Sequence, residues 1–244
     1  MNRLAVFLRG QLRTWNYTKS EMFEFFSSVA DHVDYYIAVW DNTDLEMLQR
    51  DFSNKSVKAA ITVSKDQYFN AWQGPAYMSH CLNAYRYEQE KINGAYDAII
   101  DTRFDVRFVA HADPEIVNPW TFGSTGLQGC YNSNDLDNLY DGLDDHCFLT
   151  TSGSHTIMNQ RYQSDAGSDG NHISLYKYAK THGIECFKIN WFTCKLVRPN
   201  CIDGHADPES HWQKLTQPER LAYIHRADID PHEYSAEYHI GRLL

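Results

Sequence analysis

Leu4 to Leu8 is an unbroken apolar run that ends at the polar Arg9-Gly10-Gln11. A run without alternation suits a strand covered on both faces, followed by a turn. Beyond it, Met22, Phe25, Phe26 and Val29 recur at helical spacing, and Thr18 with Glu21 has capping-box spacing, so a helix is predicted to open there. Val33 to Trp40 is rich in β-branched and aromatic residues and stops at Asp41-Asn42, which predicts a second strand. Thr43 and Glu46 repeat the capping signal before a short helix reaching Phe52, and Ala59 to Val63 is the third strand. Pro75 suits the first position of a helix whose predicted apolar face is Met78, Cys81, Leu82, Tyr85 and Ile92, and Gly94 is placed to end it. Tyr96 to Ile100 is the fourth strand.

Strands alternating with helices predict an α/β chain with a Rossmann-type, mainly parallel sheet, right-handed crossovers and helices on both faces. After Asp105 the rhythm changes, with Pro114, Pro119, Gly123, Gly126 and Gly129 close together. Thr121-Phe122, Leu127-Gln128 and Cys147-Phe148-Leu149 are strand candidates for a smaller, irregular sheet. A helix from Asn171 to His182 closed by Gly183, strands over Cys186 to Ile189 and Thr193 to Val197, and a polar helical region from Pro208 complete the expectation.

Composition narrows the class. At about 150 residues per domain, 244 residues fit one large domain or two unequal ones, and no linker interrupts the chain. With 43% hydrophobic and 22% charged residues, a disordered chain is excluded. The formal charge of −10 repels polyanions, so nucleic acid is not the expected partner. Leu4 to Leu8 is too short for a secretory signal or a membrane helix, which predicts a cytoplasmic protein with no integral membrane segment. Six cysteines without a Cys-x-x-Cys pair read as free thiols.

In an open parallel sheet ligands bind beyond the carboxyl ends of the strands, so the polar residues that follow each strand carry the chemistry. The first strand delivers Arg9, Gly10, Gln11 and Arg13, the second Asp41, and the fourth Asp101, Arg103 and Asp105. Arginines beside a glycine suit a diphosphate, because guanidinium pairs bidentately with phosphate oxygens and glycine lets the backbone approach. In extended chain, residues 101, 103 and 105 share a face, which sets two carboxylates and a guanidinium side by side. Such carboxylates can hold a divalent cation, or else form an ion-pair ladder that merely ends a strand. Asp144 and Asp145, before Cys147, could orient or deprotonate an acceptor hydroxyl, although acidic runs are also common in solvated loops. His172, His205, His225 and His239 form no ligand pair at helical spacing. Trp15, Trp40 and Trp72 lie in or just after strand-end loops, where aromatic faces meet ligands, whereas Trp120, Trp191 and Trp212 carry no such argument. There is no Gly-x-Gly-x-x-Gly for a nicotinamide cofactor.

Taken in order, Arg9-Gly10-Gln11-Leu12-Arg13-Thr14-Trp15, Val39-Trp40-Asp41, the segment from Tyr96 to Asp105, and Asp144-Asp145 through Met158 resemble a group of glycosyltransferase-like proteins with a GT-A type fold. That group shows a Gly-Gln-x-Arg-Thr turn, a Trp-Asp strand end, an Arg-x-Asp ending the fourth strand and an acidic-led strand before a Met-containing helix. The resemblance spans residues 3 to 200 and implies a single GT-A-like domain over 1–244, with a nucleotide-binding half over 1–110 and an acceptor half over 111–244. It implies a nucleotide-sugar donor with Arg9, Gly10, Gln11 and Arg13 near the diphosphate and Asp41 near the base or ribose. Asp101, Arg103 and Asp105 would stand in place of the Asp-x-Asp metal motif, with Asp105 the better ligand for Mn²⁺ or Mg²⁺ because Arg103 ties up Asp101. The arginine between the acids departs from that motif, and Asn171-His172 stands where the group often has Pro-Glu. Asp144 or Asp145 would be the base on the acceptor side.

The expected activity is therefore glycosyl transfer from a nucleotide diphosphate sugar to a carbohydrate or other hydroxyl acceptor, assisted by a divalent metal. The alternatives are a nucleotidyltransferase or phosphoesterase on the same sheet, or a non-catalytic carbohydrate-binding relative.

Overall fold

The computed structural model describes residues 1–12, 14–43, 45–64, 73–115, 117–124, 146–163 and 171–196. Strand β1 (Arg3–Gly10) is buried from Leu4 through Arg9, as its unbroken apolar run predicts. Its alternate side chains serve opposite faces. Leu4, Val6 and Leu8 pack with Met22, Phe25 and Phe26 of α1 (Trp15–Val29), while Ala5 and Phe7 pack with Met78 and Leu82 of α3 (Gln73–Asn93). Each of the larger of these side chains removed from water stabilises the fold by about 1.5–3 kcal/mol. Helices thus cover both sides of the sheet.

Parallel neighbours extend the sheet on either side of β1. On one side lie β2 (His32–Trp40) and then β3 (Ser56–Val63), with the short helix α2 (Leu45–Asp51) between them in sequence. On the other lies β4 (Ala98–Arg103). The sheet continues through β7 (Cys147–Thr150), which runs antiparallel to β4, then β6 (Thr121–Ser124) and β8 (Glu185–Lys188), giving seven strands in the order β3-β2-β1-β4-β7-β6-β8. A separate two-stranded antiparallel sheet joins β5 (Val106–Ala110) to β9 (Phe192–Leu196). Helices α4 (Ser152–Gln160) and α5 (Asn171–Thr181) follow β7, with a 3-10 turn at Arg161–Gln163 between them.

Several sequence expectations are corrected. Thr121-Phe122 and Cys147 to Leu149 do not form a smaller sheet of their own; they complete the main one, and the small sheet comes from β5 and β9. Leu127-Gln128 and the region from Pro208 lie outside the described residues. Helix α1 starts at Trp15, so Thr18 is no cap; its hydroxyl donates instead to the Phe104 carbonyl (2.6 Å) in the buried interior. Pro75 is the third residue of α3, and Gly94 leaves that helix at φ +81°. The predicted apolar face of α3 is only half right: Met78 and Leu82 are buried, but Tyr85 is 48% and Ile92 73% exposed. The buried face instead carries Ser79, Asn83 and Arg86.

Candidate functional site

The carboxyl ends of β1, β2 and β4 lie side by side. Gly10 is the register partner of Val39, and Arg9 of Arg103. Gly10 has φ +103°, a conformation that disfavours a side chain and turns the chain sharply off the sheet into half-buried Gln11. Arg9 at the end of β1 and Asp101 and Arg103 at the end of β4 therefore share one end of the sheet.

Their pairing is different from the expected one. Arg9 Nε donates to Asp101 Oδ1, and His155 Nε2 lies 2.9 Å from Asp101 Oδ2, so both oxygens of Asp101 are engaged within the protein. Arg9, Asp101 and His155 are all almost completely buried. Arg103 does not tie up Asp101 but pairs bidentately with Asp105, Nε to Oδ1 and Nη2 to Oδ2, both at 2.7 Å. Burial alone would raise the pKa of Asp101, but the Arg9 guanidinium and the bond from His155 outweigh it and hold the carboxyl well below the usual carboxylate range. Burial pushes the His155 imidazole down despite the attraction of Asp101, which favours the neutral ring. A carboxylate only accepts, so the proton of that ring is on Nε2.

Around this pair runs a buried polar seam between α3 and α4. Asn83 Oδ1 is 2.8 Å from His155 Nδ1; that oxygen only accepts, so a ring protonated at Nε2 alone makes no hydrogen bond to it, and Asn159 Nδ2 donates to the His155 carbonyl at 3.0 Å. Arg86 donates to Glu90 and to Thr156 Oγ1 (2.8 Å), and Ser152 donates to Glu90. The Phe148 ring has two guanidinium groups near it, Arg9 at 5.5 Å and Arg161 at 5.7 Å from its centroid. His155 and these partners were not found from sequence. A signal existed: Ser79, Asn83, Arg86 and Glu90 recur at i, i+4, i+7 and i+11, and Ser152, His155 and Asn159 at i, i+3 and i+7, two polar stripes with helical period.

The remaining candidates are distributed as follows. Asp41 is exposed on the turn after β2, and its amide donates to the Val63 carbonyl (3.0 Å). Arg13, Asp144, Asp145, His205, His225, His239, Trp72 and Trp212 lie outside the described residues, and so does the side chain of His172. Trp15 and Trp191 are core residues rather than ligand faces. Trp40 is half-buried with its indole edge against the first turn of α3, where Gly74 has no Cβ to obstruct it. Trp120 is 55% exposed at φ +60°.

A divalent cation needs oxygen ligands away from competing positive charge. Asp101 faces Arg9 and His155, Asp105 faces Arg103 on both oxygens, and among the described residues no three metal-ligating side chains converge. The described donor set does not fit a divalent cation in this arrangement. What it offers is a glycine turn and the partly exposed Arg103 guanidinium, above a buried ion pair.

No protein-family model matches the chain, and no curated protein matches it in sequence.

Proposed function

We propose that the chain is a glycosyltransferase of GT-A type that transfers a sugar from a nucleotide diphosphate donor to a hydroxyl acceptor. The observation that carries this reading is the adjacency of the Gly10-Gln11 turn to Arg103 at the carboxyl end of a mainly parallel sheet, with Arg9 and Asp101 joined beneath them. That is where an open α/β sheet binds nucleotides.

In this reading the backbone at Gly10 and the side chain of Gln11 approach the diphosphate, and Arg103 offers it a guanidinium that is 22% exposed. Asp41, exposed after β2, faces the ribose or base. During transfer the bond from the sugar's anomeric carbon to the diphosphate oxygen breaks while an acceptor oxygen bonds to that carbon. Negative charge then grows on the departing diphosphate, and fixed cations stabilise it more than they stabilise the bound donor. The acceptor proton needs a base, for which Asp144 and Asp145 are the candidates.

The test is a thermal-shift panel of uridine, guanosine, cytidine and thymidine diphosphates with and without Mn²⁺, followed by incubation with the matching nucleotide sugars. One nucleotide is expected to raise the melting temperature, since binding to the native state alone stabilises it. Its sugar derivative is expected to release nucleoside diphosphate. No shift with any nucleotide overturns the reading. A shift without turnover favours the non-catalytic relative, whose best support is that both buried acids are already neutralised by arginine.

A further inference from the structure

We propose that Asp101 and His155 act as a positioning unit for Arg9 and the Gly10-Gln11 turn, tuning diphosphate affinity without touching the ligand. This rests on the donor-site reading above.

The connections run in one chain. Arg9 is 3% exposed and its Nε is held by Asp101. The second oxygen of Asp101 is held by His155, whose ring packs edge-on against Phe7 at 4.4 Å between centroids. Asn83 Oδ1 on α3 lies 2.8 Å from the far nitrogen of that ring, and the same oxygen accepts from Arg86 Nε at 3.2 Å. Asp101 of β4 thus meets the guanidinium directly, and His155 of α4 meets Asp101 from its other oxygen. The residue after Arg9 is Gly10, where the chain leaves the sheet at φ +103°, so Arg9 carries the last side chain of β1 before the turn.

Energetics point the same way. A buried ion pair is weak evidence for stability, because desolvation offsets much of the attraction and a well-packed apolar replacement is often as stable. Phe7 and Phe148 already supply apolar surroundings that would accept such a replacement. What an apolar replacement does not supply is direction: a carboxylate fixed on both oxygens holds the guanidinium in one orientation. Charged groups facing the unit are Arg9 from β1, Arg86 and Glu90 from α3, and Arg161 after α4.

The experiment compares His155→Leu, His155→Gln and Asp101→Asn with the unaltered protein. Calorimetric titration uses inorganic pyrophosphate and the four nucleoside diphosphates, urea unfolding measures stability, and nitrogen-15 NMR follows the Arg9 Nε–H and the His155 ring. Gln keeps an N–H donor towards Asp101, whereas Leu keeps none. His155→Leu and Asp101→Asn are expected to weaken binding about tenfold, the size of one lost charge-assisted contact. His155→Gln is expected to restore it to within about twofold, whatever the order of the unfolding midpoints. The Arg9 Nε–H should exchange slowly in the unaltered protein and in His155→Gln, and fast in His155→Leu. Unchanged binding and unchanged Arg9 exchange in His155→Leu overturn the proposal. If the unaltered protein binds neither pyrophosphate nor any nucleotide, the donor-site reading fails, and the Arg9 and His155 signals alone decide whether the unit positions the turn.

Discussion

Arg103 grips Asp105 with two parallel bonds of 2.7 Å across a single intervening residue, and the carboxylate it grips is 1% exposed. The pair closes the turn between β4 and β5 on itself. It also spends the charge of Asp105 inside the protein, which is why the Asp-x-Asp analogy does not carry over as a cation site.

Adding Mn²⁺ or Mg²⁺ without nucleotide is therefore expected to leave the melting temperature unchanged, and Asp105→Asn is expected to lower stability by about 1.5–3 kcal/mol, the range for bonds to a charged group. Thermal shift and urea titration check both. A rise of several degrees with metal alone, abolished by Asp105→Asn, would contradict the first expectation.

Thr18→Val deletes the hydroxyl that donates to the Phe104 carbonyl and leaves that buried acceptor unsatisfied, at about 1–3 kcal/mol. The loss should be local as well as global. Hydrogen exchange at the amides of Arg103 to Arg107 is expected to accelerate more than exchange in β2.

Gly74→Ala puts a methyl group where the Trp40 indole edge now lies. Alanine is the better helix former by about 1 kcal/mol, yet overpacking against a ring costs about 1–3 kcal/mol, so the net effect is destabilising. Indole fluorescence should shift as Trp40 is displaced. A gain in melting temperature with an unchanged emission spectrum would show that the ring yields without cost.

Stability should fall on acidification in two stages. The folded pKa of His155 lies below its ordinary 6.5, so between those values the unfolded chain binds more protons and stability declines as pH drops below about 6.5. Asp101 is depressed below 3.8, so its contribution is present above that value and is lost as pH falls through the folded value. His80 is also pushed down by burial, so the His155 share is read as the difference between the unaltered protein and His155→Gln in urea midpoints from about pH 5 to 8. Identical slopes for the two proteins would show that His155 does not titrate in that window.

Strand β1 was legible because burial on both faces leaves an unbroken apolar signature, and β2 because it is rich in β-branched and aromatic residues. The inner face of α3 was not. A search for apolar periodicity selects Tyr85 and Ile92, but the surface buried there is polar because α4 brings a complementary polar stripe. The four-residue strands β6 and β7 carry too few positions to say which sheet they join. In the candidate site, Arg9 and Asp101 stand at adjoining strand ends, while local spacing assigned Asp101 the wrong partner. Its second partner, His155, is 54 residues away, and nothing local in sequence marks that contact.

The antiparallel seam between β4 and β7 welds the first four strands to the later ones in a single continuous sheet. A fragment ending at Asp105 would present β4 as a raw, sticky border, and the complementary fragment would carry β7 with no template to register against. Severed pieces should clump when made singly and regain the native shape only when mixed, so any attempt to swap one end of the molecule onto another scaffold must move that border intact.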